Sequence, residues 1–374
     1  MDFDKDQFSN LLYPTFRINE IHSTNGVRLE IEETTEDGEV RNFEAECSSV
    51  IPFEDKLGKL GAKYLRIFGS YDVKRPLTKS EIIEITNIKK SMSDICRNLT
   101  TRLFEKVDQG LINRLFNSRN KVVRVVGKEF KVPYEFLGTR LTGKNINKRL
   151  LGIRHVIIRK YLDSNTNQTQ RPKELLYFQS ANLNTKKFQG ELSSIFNGDT
   201  IKVFKRNKDG YLPEQVNQAL HKNEGFIHFA CHLNSVTSND QVSNYSEQFL
   251  EIDGEAFGLD SLEFKNKLDG KFVFLNSCLS GSLVRAHSDH FTRSFAKKNV
   301  ASLISSNVSI PMDIAPKFSD EFYKHLFNGA DTTMKGNAAS SKLMATRSLL
   351  EKEHGDLGGL FYSLYGNPKI NITV

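Results

Sequence analysis

The chain has 374 residues and a formal net charge of +7; 38% of its residues are hydrophobic and 26% charged, which excludes a disordered chain and a small disulfide-dependent module. It contains no stretch of about 18 uncharged apolar residues, and its first ten residues, MDFDKDQFSN, lack the basic and then apolar pattern of a secretory signal. The four cysteines lie far apart, which favours free thiols. We therefore expect a cytoplasmic protein that has no membrane segment.

The first third of the chain changes from a strand pattern to a helical pattern. Residues 14–50 alternate apolar and polar side chains around the turn residues Glu36-Asp37-Gly38-Glu39, which predicts a small antiparallel element with a hairpin. After the capping stretch TKSE at residues 78–81, apolar residues three or four apart predict one or two long helices. We interpret residues 1–118 as a recognition or regulatory region; its helices could instead pack on the sheet of the following domain.

Residues 119–374 are predicted to form one α/β domain, because short apolar runs alternate with helical patterns as in a mostly parallel sheet flanked by helices. The predicted strands are residues 122–126, 155–161, 174–179, 201–204, 225–230, 271–276 and 300–305. The predicted helices are residues 185–196, 212–221, 259–268, 291–299, 314–327 and 338–353.

Two of the predicted strands end in residues that can carry chemistry. FIHFA is followed by Cys231 and His232, and FVFLN is followed by Ser277 and Cys278. Parallel neighbours about 4.8 Å apart would bring these strand ends within hydrogen-bond reach. The sequence therefore predicts Cys278 as a nucleophile and His232 as its base, provided that the two strands are adjacent.

The residues after each strand end suggest an oxyanion hole. Ser280 and Gly281 permit a sharp turn after Cys278, which would leave its backbone N–H free to face a developing oxyanion. The backbone N–H of Leu233, which follows the histidine, would be the second donor.

At these residues the sequence resembles a known family. FIHFACH and FVFLNSCLSG are similar to the motifs of CHAT domains, caspase-like cysteine peptidases of the clan that includes caspases, separases and gingipains. The similarity covers roughly residues 120–374, and four further segments carry it: VPYEFL at 132–137, SIPMD at 309–313, FYKHLFNG at 322–329 and FYSLYGNP at 361–368. The resemblance implies a caspase-like fold and a dyad of His232 and Cys278 that needs no cofactor.

The chain departs from the family pattern at two points. Leu233 stands where the family has glycine, and a leucine resists the positive φ that glycine adopts freely. We therefore expect an oxyanion hole that is strained or unformed until a ligand binds. The family's later turn carries a tryptophan, which this chain lacks, so Ile310 or Met312 would fill that space.

The resemblance also implies a substrate pocket lined by the residue two before the nucleophile and by the strand after it. The candidates are Asn276, Ser306, Asn307 and Asp313. An acid in this pocket would favour a basic P1 residue, whereas an uncharged floor would favour Met or Leu. Glu251 and Asp253 are further candidates for a pocket acid, or else belong to a solvated hairpin edge.

Two neighbouring residues are interpreted as core. Cys231 points to the opposite side of its strand from His232, and His228 lies one pleat further inside, so packing is expected for both. A zinc site would need His228, Cys231, His232 and Cys278 to converge, which the orientation of Cys231 opposes. We expect no metal.

Positive charge is concentrated between residues 138 and 173, where nine Lys and Arg residues stand against one acid, Asp163. Such a run is typical of a solvated face and also suits an acidic partner or nucleic acid. No aromatic interleaving or nucleic-acid motif accompanies it.

Two functions therefore compete. The leading one is a regulated cytoplasmic cysteine endopeptidase that cleaves a protein partner; the resemblance suggests a bacterial antiviral or programmed-death circuit with an activating sensor. The alternative is a catalytically silent caspase-like scaffold that binds an acidic partner or nucleic acid through residues 138–173. A nucleotide-binding domain is disfavoured because no strand leads into a glycine-rich loop.

Overall fold

The structure is a computed structural model that describes most of the chain. The described residues are 16–23, 26–35, 37–48, 50–69, 77–118, 121–138, 150–162, 174–180, 201–222, 225–237, 246–258, 261–262, 268–277, 288–306, 310, 314–327, 339–354 and 356–366. The predicted helix at 185–196 and most of the one predicted at 259–268 lie outside them.

The strands within these residues follow the predicted runs closely and add four further ones after residue 231. They are β1 (Phe16–Ser23), β2 (Gly26–Thr34), β3 (Val40–Cys47), β4 (Val122–Gly127), β5 (Val156–Tyr161), β6 (Leu175–Gln179), β7 (Ile201–Val203), β8 (Phe226–Ala230), β9 (His232–Thr237), β10 (Ser246–Ile252), β11 (Glu255–Gly258), β12 (Phe272–Leu275), β13 (Ser302–Ser306) and β14 (Tyr362–Gly366).

The helices include two that the pattern did not predict, one that begins at residue 51 and one of a single turn that begins at residue 151. They are α1 (Ile51–Gly69), α2 (Lys79–Leu103), α3 (Gln109–Asn117), α4 (Leu151–Arg154), α5 (Leu212–Lys222), α6 (Ser288–Lys297), α7 (Ile314–Phe327) and α8 (Ala339–His354). The predicted start of α2 is confirmed, because the Thr78 side chain accepts the Glu81 N–H while the Glu81 carboxylate accepts the Thr78 N–H, a capping box.

One sheet of eleven strands forms the centre of the molecule, in the order β3-β2-β1-β4-β5-β14-β13-β12-β8-β6-β7. Its pairings are parallel except within β1–β3 and between β13 and β14. The predicted fold class, a mostly parallel α/β sheet flanked by helices, is confirmed.

The N-terminal strands belong to this same sheet. The hairpin predicted at Asp37 and Gly38 joins β2 to β3, with Thr34 opposite Val40. β1 pairs in parallel with β4, with Phe16 opposite Val123, so β1–β3 extend the sheet at one edge. The described part of residues 1–118 is thus continuous with the strands that follow it.

The period of two along β12 divides its side chains between two hydrophobic cores. Phe272 and Phe274 pack into a core with α1, α2, α7 and α8, and Val273 and Leu275 pack into a second core with α5 and α6. Because both faces of β12 are covered, the strand is uniformly apolar, as expected for a central parallel strand.

A buried ion cluster ties the middle of the sheet to α8. The Glu135 carboxylate, fully buried, forms a two-pronged ion pair with Arg159 of β5, at 2.5 and 2.7 Å. It also accepts a hydrogen bond from Ser363 Oγ of β14 at 3.0 Å and lies 3.5 Å from Arg347 of α8. The two guanidinium groups outweigh desolvation and lower the pKa of Glu135, so the carboxylate stays ionised in the core.

Candidate active site

The condition set by the sequence for the active site is met, because β8 and β12 are neighbours. They pair in parallel with Phe229 opposite Leu275, and the Asn276 N–H extends the ladder by donating to the Phe229 carbonyl at 2.9 Å. Both strands therefore end at the same edge of the sheet, where chemistry collects in doubly wound folds.

The predicted catalytic residues directly follow these strand ends. His232 is the first residue of β9, opposite Glu251 of β10, and Leu233 lies opposite Leu250. Cys278, Asn307 and Asp313 lie outside the described residues. Leu233 is in extended strand backbone; among the described residues only Asp253 and Asn299 have positive φ without being glycine.

Asn276, predicted as a substrate-binding residue, makes internal hydrogen bonds. Its side-chain nitrogen donates to the Ala315 carbonyl of α7 at 2.9 Å and lies 3.4 Å from Ser319 Oγ, while its side-chain oxygen accepts from the Tyr362 hydroxyl at 2.8 Å. The side chain thus connects the end of β12 to α7 and to β14. Only 6% of the residue is exposed.

Ser306, the other described pocket candidate, is the last residue of β13 and is fully buried opposite Tyr362 of β14. Since β13 is the next strand beyond β12, Ser306 lies at the same carboxyl edge as Asn276.

The core interpretation of Cys231 and His228 is confirmed. Cys231 is 3% exposed in the second core, and burial raises the pKa of its thiol. His228 is fully buried, and its Nδ1 lies 2.9 Å from the Tyr323 hydroxyl. Burial lowers the pKa of His228 to about 3, so this imidazole is neutral at physiological pH. Across the part of the chain that the structure describes, no group of three or more His, Cys, Asp or Glu residues could hold a metal ion.

A second small sheet, β11-β10-β9, stands over the carboxyl edge of the large sheet. Asp253 and Gly254 form the turn between β10 and β11, with φ of 50° and 87°, which confirms the hairpin. Two hydrogen bonds attach this hairpin to β6: the Asp253 N–H donates to the Gln179 carbonyl at 2.9 Å, and Ser180 Oγ donates to the Glu251 carbonyl at 2.7 Å.

The basic segment at residues 138–173 is largely outside the described residues, and two of its described cations are engaged within the fold. Arg159 is buried against Glu135, and Arg154 donates to the carbonyl oxygens of Asn117 and Ser118. Arg159 is therefore not part of a basic surface.

Residues that sequence reasoning did not assign include Glu135, Arg159 and Arg347. The available signal was an acid inside the apolar VPYEFL segment and an arginine inside the apolar HVIIRKY strand, since buried charges require partners. Which charges would pair was not evident from the sequence.

The family comparison matches the CHAT domain over residues 168–351. This match confirms the predicted resemblance. No curated protein matches the chain.

Two solved structures share the fold at low sequence identity. Two structures of the Saccharomyces cerevisiae separase–securin complex cover 97% of this chain at 11% identity, with TM-scores of 0.57 and 0.53. The Arg-specific cysteine proteinase gingipain R matches over 75% of this chain and 68% of its own, at 13% identity with a TM-score of 0.46. This chain spans only 30% and 31% of the two separase-complex chains that it matches. None of the helices in the described residues is long and apolar enough to cross a membrane.

Proposed function

We propose that this chain, whose CHAT domain has the caspase-like fold, is a regulated cytoplasmic cysteine endopeptidase acting through His232 and Cys278. The observation that carries this proposal is the parallel register of β8 and β12. Phe229 lies opposite Leu275, and His232 and Cys278 each follow these residues by three positions. Equal extensions beyond paired positions in adjacent parallel strands favour a close approach of the two side chains.

The chemistry follows from this pair. His232 accepts the Cys278 proton, and the thiolate attacks the carbonyl carbon of the scissile peptide. The resulting oxyanion is stabilised by the backbone N–H groups of Leu233 and Cys278. The imidazolium then protonates the leaving amine as the C–N bond breaks, and water hydrolyses the thioester and regenerates the thiol.

The backbone N–H of Leu233 is the oxyanion-hole donor that requires a change of backbone conformation in this mechanism. Leu233 lies in extended strand backbone opposite Leu250, a conformation that any residue adopts. If the family's glycine turns its N–H towards the oxyanion by adopting positive φ, Leu233 has to leave the strand geometry at a cost of roughly 1 to 3 kcal/mol. This supports a resting enzyme of low activity that an activating sensor or a protein substrate switches on.

The substrate pocket in this proposal is formed by Asn276, Ser306, Asn307 and Asp313 around Cys278, and the internal hydrogen bonds of Asn276 also hold the end of β12 in place. Residues 1–118 act as the recognition or regulatory region. The protein partner and the bacterial defence or programmed-death circuit come from the resemblance alone.

A cysteine-reactive peptidyl probe tests the dyad. The wild type should be labelled at Cys278, and labelling should be lost in Cys278→Ala and in His232→Ala, because a thiol with a pKa near 8.5 is mostly protonated at neutral pH. Cys231→Ser is the matched control. The Cys231 thiol is buried, so its replacement should leave the labelling of Cys278 intact. Equal labelling of several cysteines, or labelling that is independent of His232, would favour the silent scaffold.

A further inference from the structure

Glu251 lies at a position that the dyad mechanism does not use. It is the cross-strand neighbour of His232 in the β9–β10 pair. Residues directly opposite each other in an antiparallel pair share one face of the sheet, with Cβ atoms about 4.5 to 5.5 Å apart. A glutamate at that separation is long enough to reach an imidazole.

The alternation along β10 shows which face this is. Leu250 and Ile252 are fully buried in the second core, whereas Glu251 between them is only half-buried. Glu251 therefore lies on the face of the small sheet that points away from this core, and the register places His232 at a position of the same face. Leu233, opposite Leu250, is at a position of the other face.

The order of the strands sets the order of their carboxyl ends along the edge. β8 lies between β12 and β6 in the large sheet, and β10 is attached to the carboxyl end of β6 by Ser180 and Gln179. In the chain, His232 follows β8 and Cys278 follows β12. The end of β8 thus lies between the end of β12 on one side and the strand that carries Glu251 on the other.

The carboxylate is itself held in place. Glu251 Oε1 accepts the Gly254 N–H at 2.9 Å across the tight β10–β11 turn. The charge of Glu251 acts on Cys231 at the end of β8. Burial is the main cause of the raised pKa of the Cys231 thiol, and the negative charge of Glu251 raises that pKa further. Cys231 immediately precedes His232 in the chain.

We propose that Glu251 is a positioning residue that accepts a hydrogen bond from the His232 imidazole, converting the dyad into a Cys–His–Glu triad. The carboxylate fixes one tautomer, leaves the other ring nitrogen available to the Cys278 thiol and stabilises the imidazolium that forms when the thiol loses its proton. This inference rests on the proposed function, because it assigns the partner of the same histidine.

The test is the pH dependence of Cys278 alkylation by iodoacetamide, followed by mass spectrometry, in wild type, Glu251→Gln and Glu251→Asp. Losing the carboxylate should destabilise the thiolate–imidazolium pair and lower the alkylation rate at pH 6.5 by at least about tenfold, with peptide kcat reduced and KM unchanged. Glu251→Asp should recover part of the rate. Glu255→Gln, an exposed glutamate on the other strand of the hairpin, should match wild type.

The outcomes separate this inference from the proposed function. If wild-type alkylation at pH 6.5 is unaffected by His232→Ala, the dyad itself fails. If it depends on His232 but is unchanged in Glu251→Gln, the dyad stands and the triad is overturned. A raised KM for basic P1 peptides with an unchanged alkylation profile would also overturn it, because Glu251 would then be a pocket acid. Should Glu251→Gln not fold, the profile of Glu251→Ala decides, and a wild-type profile in that variant refutes the triad.

Discussion

Asn276 offers a direct test of whether a residue at the active-site edge supports the fold or contacts substrate. In Asn276→Ala the Ala315 carbonyl loses its 2.9 Å donor and the Tyr362 hydroxyl loses its 2.8 Å acceptor. The 3.4 Å contact with Ser319 is too long to contribute much. Each lost hydrogen bond costs about 1 kcal/mol, and removing the Asn276 acceptor from the buried Tyr362 hydroxyl adds about 1 to 3 kcal/mol.

We therefore expect Asn276→Ala to lower the free energy of unfolding by roughly 3 to 5 kcal/mol. Tyr362→Phe should cost about 2 to 4 kcal/mol, because it removes only one of the two bonds but takes the donor away from the buried Asn276 side-chain oxygen. Urea denaturation of both single variants and of the double variant completes a cycle, and the coupling should be at least about 0.5 kcal/mol because the residues are in contact. Ser319→Ala is the control for the long contact and should have the smallest effect.

The structural role predicts that activity follows stability. Below its unfolding transition, Asn276→Ala should lose peptide turnover mainly through kcat, because the strand end that carries the nucleophile is less firmly held. The reasoning would be refuted by a variant that retains wild-type stability, shows no coupling with Tyr362 and has a raised KM. That result would show that Asn276 contacts the substrate and does not support the fold.

Three further predictions concern the core and the resting state. Glu135→Gln leaves Arg159 and Arg347 buried without this carboxylate, and it should lower the free energy of unfolding in urea by about 3 to 5 kcal/mol. Glu39→Gln, at an exposed position, is the control and should lower it by less than about 1 kcal/mol. Equal losses in the two variants would contradict the core role of Glu135. Burial lowers the pKa of His228 from 6.5 to about 3 in the folded protein. As the pH falls, the unfolded state therefore binds the proton before the folded state does. The contribution of His228 to stability is full above pH 6.5 and is lost as the pH drops towards 3. Between pH 7 and pH 5 this histidine should account for about 2 kcal/mol, and His228→Gln should reduce the measured loss by that amount; an identical pH dependence in the variant would contradict it. Leu233→Gly should raise the basal peptide turnover of the isolated protein, by up to about a hundredfold, whereas an unchanged or lower rate would show that latency arises elsewhere.

The local sequence pattern predicted the individual helices and strands better than it predicted how they are arranged in the fold. The helix predicted at 314–327 is found as Ile314–Phe327, and the strand predicted at 225–230 begins one residue later, because hydrophobic periodicity is a local property. α1 was not predicted, since Pro52, Gly58 and Gly61 weaken its helical pattern. Tertiary packing explains why residue 61 is glycine. An added Cβ would collide with the ring of Phe361, which is 300 positions away in the chain.

The site shows the same division between local and long-range information. Strand ends and residue type were sufficient to select His232 and Cys278 as candidates, because the carboxyl ends of parallel strands meet at one edge. The internal hydrogen bonds of Asn276 and the pairing of His232 with Glu251 depend on α7, β14 and β10, whose positions follow from long-range packing. No spacing in the sequence encodes those contacts.

The position of β14 has a consequence for biosynthesis. This strand is the last in the described chain, yet it lies in the middle of the sheet, between β5 and β13. Until residue 366 has been translated, the nascent chain can form only two separate half-sheets, each with an open edge, and the strands preceding His232 and Cys278 belong to one of them. Closure of the sheet must therefore wait until residue 366 has been made, since non-local pairing cannot precede the synthesis of its partner. The strand ends that precede His232 and Cys278 thus acquire their complete framework well after those strands themselves have been synthesised.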